Sequence, residues 1–354
     1  MRRLILGVGV LGACSSIGLA QCPGTTQAFA SPAYDVWEYP AAGSGASLSA
    51  PTFGSPLATE DPDRLGYYFA AFRTQDLIPT ASGPFQVRSA TLTVYVLNSS
   101  RPSPNTTIYD PTYDSWRTYL GIDPDADAGR PIELYGCLFN NGLTLGTWNE
   151  ATTPVFQNGL YNVLPADFPT STLVPPQPRD VTSNVDGPDF TVVGDGFDAR
   201  PLAIGTTSQT YVGSDGNIHI SDGATLTFQI DVTDPRVRAY LERSLRGDGY
   251  IGLVISSLHG AAYGGMGAGE TYPRIATKEA FGLPDPSLSI EYVALPRFDV
   301  NADTRVDVDD LYTWHHGTGN RDVDQSGAVD GADVAALKCQ LRSLEHATLL
   351  ASRP

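Results

Sequence analysis

Apolar and polar residues alternate most clearly over residues 89–97. Ala90, Leu92, Val94 and Val96 fall on one side, and Thr91, Thr93 and Tyr95 on the other. A period of two places one face in a core and turns the other outward or toward a ligand, so the pattern predicts a β-strand. Leu226, Phe228, Ile230 and Val232 repeat it over 225–232. Apolar or alternating runs at 66–72, 132–139, 250–255, 274–278 and 287–293 predict further strands, some buried on both faces. One helix stands out after Val232. Thr233 or Asp234 caps it, Pro235 suits its first turn and Gly247 ends it. Val237, Tyr240, Leu241 and Leu245 form its apolar stripe.

The stretches between are rich in loop-forming residues. Residues 21–50 read as a leader of small residues with Trp37 and Tyr39 as anchors, and 101–130 as a polar insert carrying Pro102, Pro104, Pro111 and Pro124. Residues 157–198 are Pro- and Gly-rich and predict at most short strands. The chain holds 36 Gly, 27 Pro and 17 Tyr in 354 residues, which suits a loop-rich β protein. Many short strands and a single clear helix predict a mainly β fold, an antiparallel jelly-roll β-sandwich over residues 21–294.

A different pattern begins at Asp299 and is written twice. Asp299, Asn301, Asp303, Asp307 and Asp310 stand at loop positions 1, 3, 5, 9 and 12. Asp322, Asp324, Ser326, Asp330 and Asp333 repeat them 23 residues later. The backbone carbonyls of Arg305 and Ala328 serve at position 7. A hard cation such as Ca²⁺ takes roughly 6–8 oxygens, and this spacing wraps one loop around one ion, giving two ions in all. Gly327 supplies the sharp turn at position 6, where the first loop has Thr304. Val306 and Val329 at position 8 are expected to pair through a short β-bridge. An apolar, helix-like run follows each loop, and no helix precedes either one.

This tail resembles the duplicated loop–helix unit of type I dockerin modules, and Leu337-Lys338 matches the family's second-helix ending. The resemblance implies a small α-helical, calcium-folded domain over 295–346, a short tail at 347–354 and a cohesin-like or cell-surface partner. Positions 10 and 11 depart from the family's Ser-Thr-like pair: they are Val308-Asp309 and Gly331-Ala332. Over about 60–294 the order of strands resembles the DNRLRE-type jelly-roll family. The resemblance rests on the run from Val87 to Val96, the loop Trp148-Asn-Glu150, the segment Ile230-Asp-Val-Thr233 and the run from Tyr250 to Ile255. Some members act as carbohydrate-binding modules for acidic polysaccharides such as alginate, so the resemblance implies the fold and, secondarily, a polysaccharide ligand.

Charge narrows the partners. Formal net charge is −17, with two lysines, Lys278 and Lys338. Such a balance excludes nucleic acid, which needs a basic face, and disfavours anionic lipid. Arg2 and Arg3, the apolar run 4–13 and the small residues Gly18-Leu-Ala20 read as an export signal over 1–20. Leu11-Gly-Ala-Cys14 also resembles a lipobox, which would attach the protein to a surface at Cys14. No transmembrane span is expected. Cleavage after Ala20 leaves Cys22, Cys137 and Cys339, an odd number that fits no zinc pattern. Export permits a disulfide, and sequence does not choose the pair.

Candidate ligand-binding aromatics are Tyr67, Tyr95, Trp116, Tyr119 and Trp148, with Trp116 and Tyr119 favoured because they lie in a loop insert. A catalytic candidate is His259 with Tyr263, near Glu270, Tyr272, Arg274 and Lys278; a Tyr/His pair beside a cation suits proton abstraction next to a uronate carboxylate. Asp123, Asp125 and Asp127 alternate like a small cation site or an exposed turn. Nucleophile elbows, phosphate loops and zinc-hydrolase helices are absent from the sequence. Two functions stay open: a non-catalytic binding protein, or an enzyme (O-glycosyl hydrolase or lyase) or enzyme-complex component of extracellular polysaccharide degradation.

Overall fold

A computed structural model describes residues 24–38, 47–53, 66–79, 85–98, 107–113, 129–139, 144–148, 156–157, 160–161, 163–166, 201–247, 249–257, 259, 271–294, 298, 300–301, 306–317, 321–323 and 328–351. They form two compact units, Gly24–Arg297 and the unit beginning at Phe298.

The first unit is mainly β. Its strands are β1 (Thr25–Phe29), β2 (Tyr34–Glu38), β3 (Ser49–Pro51), β4 (Tyr67–Arg73), β5 (Phe85–Tyr95) and β6 (Ile132–Phe139). Then come β7 (Phe156–Gln157), β8 (Leu160–Tyr161), β9 (Val163–Ala166), β10 (Ala203–Thr206), β11 (Thr210–Val212), β12 (Ile218–Ile220) and β13 (Thr225–Ile230). Helix α1 (Pro235–Arg246) precedes β14 (Tyr250–Ser257), β15 (Arg274–Ala276) and β16 (Ser287–Ala294). One antiparallel sheet runs β1-β16-β5-β13-β10-β6-β14-β4-β2, with β9 added beside β6. The sheet curls at β10, which pairs β13 through Gly205 and Thr206 and β6 through Ala203 and Ile204.

The curl encloses one core. Leu92, Val94, Leu226, Phe228, Leu288 and Ile290 come from one limb, and Tyr68, Phe72, Leu134, Leu253 and Ile255 from the other. Burying each such side chain stabilises by roughly 1.5–3 kcal/mol before the entropy of ordering is subtracted. Alternation in β5 switches phase near Arg88, because the register against β16 shifts between Glu291 and Tyr292. That bulge lets Phe85 and Val87 share the core face with Ala90 and Leu92. The Asp234 carboxylate accepts the Arg236 amide at 2.9 Å and caps α1, whose Val237, Tyr240, Leu241 and Leu245 are all buried.

Two expectations are corrected. Residues 21–50 are no mere leader: β1 pairs β16 and β2 pairs β4, so they supply both ends of the long sheet. Residues 201–224, where no element was expected, contain β10, which joins the two limbs, and the β11–β12 hairpin. In both places the strands are short and are paired by strands distant in sequence, which no local period reveals.

The second unit holds α2 (Val308–His315) and α3 (Gly331–Ala351), which pack on each other. Among its described residues Phe298, Val300, Trp314, Val323 and Leu337 are the buried apolar ones. Trp314 Nε1 donates to the Arg321 carbonyl at 2.7 Å, and the Arg321 guanidinium lies 4.7 Å from the Trp314 ring centroid. Cys339 is disulfide-bonded and Cys137 is free, so the partner of Cys339 lies outside the described residues. Among the described residues no helix is long and apolar enough to cross a membrane.

Candidate metal centre

The duplicated spacing reappears as duplicated geometry. Asp310 and Asp333, at loop position 12, are both 0% exposed. Asp310 Oδ1 accepts the amides of Val300 at 2.6 Å and Asn301 at 3.3 Å, and its Oδ2 accepts the amide of Asp307 at 2.8 Å. Asp333 Oδ1 accepts the amide of Val323 at 2.8 Å, and its Oδ2 that of Asp330 at 2.8 Å. In each copy, position 12 therefore gathers the amides of positions 2 and 9. Position 9 then caps the helix. Asp307 Oδ1 accepts the Asp309 amide at 2.9 Å, and Asp330 Oδ1 the Ala332 amide at 2.7 Å. Asp307 and Asp310 together make a capping box, which satisfies amides left without intrahelical partners at the start of α2.

This role was hidden in the sequence. Position 12 reads there only as a cation ligand, whereas a buried carboxylate also fixes the loop backbone. The two roles are compatible at Asp310 Oδ2, which accepts one amide and has a second lone pair for a cation, whereas Asp310 Oδ1 already accepts two amides. Asp299, Asp303, Arg305, Asp324 and Ser326 lie outside the described residues, and Asn301, Asp307, Asp310, Asp322, Ala328, Asp330 and Asp333 lie within them. Among the described residues no group of three or more His, Cys, Asp or Glu stands ready to hold a metal. Val306 and Val329 make no β-bridge; each loop is closed internally by its own position-12 carboxylate.

Comparison with known protein families, curated proteins and solved structures finds no match.

The other candidates separate. Trp148 is 2% exposed, with Phe69 and Tyr34 packed against it at ring-centroid distances of 5.1 and 5.7 Å. Its ring packs in the interior and offers no open face, which corrects its reading as a surface aromatic. Tyr67 is fully buried too. Trp116, Tyr119, Tyr263, Glu270 and the Asp123–Asp125–Asp127 run lie outside the described residues. His259 is buried, with Nδ1 3.1 Å from Ser257 Oγ, which itself donates to the Thr52 carbonyl at 2.9 Å. Burial, with the Arg130 charge adding to it, pushes the imidazole down to about 3, so it is neutral at physiological pH. Lys278 Nζ lies 3.5 Å from Asp35, and Tyr272 and Arg274 are buried.

One polar row escaped sequence reading. Glu38 pairs Tyr67 across β2 and β4, and Ser256 pairs Glu133 across β14 and β6. Extending the β14–β4 register by one residue sets Tyr67 beside Ser256, so the four side chains share one face. All four are buried. Tyr135 donates its hydroxyl to Glu133 at 2.9 Å. Among the described residues neither oxygen of Glu38 has a hydrogen-bond partner, and burial pushes its carboxyl well above the usual range. Each glutamate ends or begins a run of ordinary strand residues, so only the cross-strand register brings them onto one line.

Proposed function

We infer that this is a secreted or surface-attached, non-catalytic calcium-binding protein. In this reading the β unit is a jelly roll of the DNRLRE type that holds a polysaccharide or a neighbouring surface. The C-terminal unit is a dockerin-like module that attaches it to a cohesin-like or cell-surface partner. The observation that carries the reading is the repeat of one hydrogen-bond pattern, 23 residues apart, around Asp310 and Asp333. Five side-chain oxygens per loop, four of them carboxylate, repel one another until a cation gathers them, so calcium binding and compaction are coupled. Val308 at position 10 and Tyr312 one turn on are 68% and 65% exposed, apolar surface that suits docking. Position 10 of the second copy is Gly331, so the two copies offer different surfaces.

Calorimetric titration of the full chain with Ca²⁺ should give two ions per molecule, with protection of the C-terminal unit from proteolysis that EDTA reverses. Absence of both heat and protection removes the calcium reading and the attachment proposal with it. Polysaccharide binding is checked separately, by retention on a panel of acidic and neutral polymers and by its loss in Trp116→Ala.

The alternative reading is an enzyme or enzyme-complex component of extracellular polysaccharide degradation. Release of reducing or unsaturated ends from a polymer of the same panel, abolished by Tyr263→Ala, would replace the binding reading.

A further inference from the structure

The β11–β12 hairpin carries an exposed aromatic ring that is held in place from behind. Tyr211 and His219 are direct cross-strand partners, with ring centroids 5.4 Å apart and planes 23° apart. Tyr211 is 42% exposed and His219 2%. The imidazole is fixed on several sides. Its Nε2 lies 2.9 and 3.1 Å from the two carboxylate oxygens of Asp215. Ile108 bridges His219 from the neighbouring segment, and Tyr109 and Ile220 tie that segment to β12 through backbone bonds of 2.8 and 3.0 Å. A Cβ at Gly213 would lie 2.5 Å from the ring, so glycine is what lets the turn close over it. At the tip, Gly216 takes φ +82°.

We propose that Tyr211 is a stacking platform for a neutral sugar ring, with Asp215 as the acceptor that orients its hydroxyls. The site rests on the polysaccharide-binding reading and gives it a location and a ligand class. A pyranose presents C–H groups on its faces and hydroxyls around its rim. A ring pinned by a buried imidazole offers a flat apolar face at low entropic cost, and a polar group at its edge supplies direction. The Asp215 side chain is 46% exposed and so reachable. Hydrogen bonds from His219 and from Asn217 hold its carboxyl down to about 2, so it stays ionised. An ionised carboxylate beside the ring, on a chain of net charge −17, repels uronate polymers and accepts from neutral hydroxyls.

The test uses the full-length mature protein in affinity electrophoresis and calorimetry against neutral glucan, xylan and mannan and against acidic polygalacturonate and alginate. Retention by at least one neutral polymer is expected. Tyr211→Ala should weaken it about tenfold, the size of one lost stacking contact, while Tyr211→Phe stays within about twofold. Unchanged thermal unfolding of both variants keeps the comparison one of binding. Equal retention by wild type and Tyr211→Ala, or retention by acidic polymers alone, overturns the assignment and leaves polysaccharide binding standing. Retention by no polymer of either kind removes both.

Discussion

Asp310 Oδ1 lies 2.6 Å from the backbone nitrogen of Val300, and that single bond folds ten residues of acidic loop back on themselves. Asp310→Asn turns an acceptor into a donor facing donors. Leaving buried amides unmet costs about 1–3 kcal/mol. Hydrogen exchange across α2 in the full chain should therefore quicken in EDTA as well as in calcium. Asn301→Ala, at a position read only as a ligand, should quicken it in calcium alone. Equal exchange in Asp310→Asn and wild type would show that the bond does not organise the loop.

Asp35 makes the β unit sensitive to pH. Burial raises its carboxyl to about 6, against hydrogen bonds from the Lys278 amide at 2.8 Å and the Tyr68 hydroxyl at 3.0 Å, which act to lower it. The folded state therefore holds a proton that the unfolded chain, near 3.8, gives up more readily. The stabilising contribution is full below about 3.8 and lost as pH rises through about 6, a difference of about 3 kcal/mol for a shift of about two units. Urea midpoints of wild type should fall across this window relative to those of Asp35→Asn. Parallel profiles would remove Asp35 as the cause.

Thiol chemistry separates the cysteines. Cys137 is buried, and burial pushes its thiol up to about 12 despite the contact with the Tyr240 hydroxyl at 3.8 Å. Iodoacetamide should leave Cys137 unmodified in the native protein and alkylate it after denaturation. If the chain is exported as proposed, Cys14 is either removed with the leader or carries lipid. A non-reducing peptide map should therefore join Cys339 to Cys22. A native protein alkylated at Cys137, or a map joining Cys339 elsewhere, contradicts this.

Features set by neighbours in the chain were legible from the sequence. Alternation over Ala90–Val96 and Leu226–Ile230 marked strands because side chains on a strand change face at every residue. Asp234, Pro235 and Gly247 marked the helix because capping acts within one turn. The doubled acidic spacing was equally plain, because a loop that closes within twelve residues is a local object. The roles of Asp310 and Asp333 as amide anchors were not plain, since a carboxylate's partners are chosen only when the loop closes. Nor were β1 and β2, Trp148's place in the interior, the line from Glu38 to Glu133, or the stack of Tyr211 on His219. Each depends on which strand lies beside which and in what register. That is settled by the burial of a whole sheet, and no run of neighbouring residues encodes it by itself.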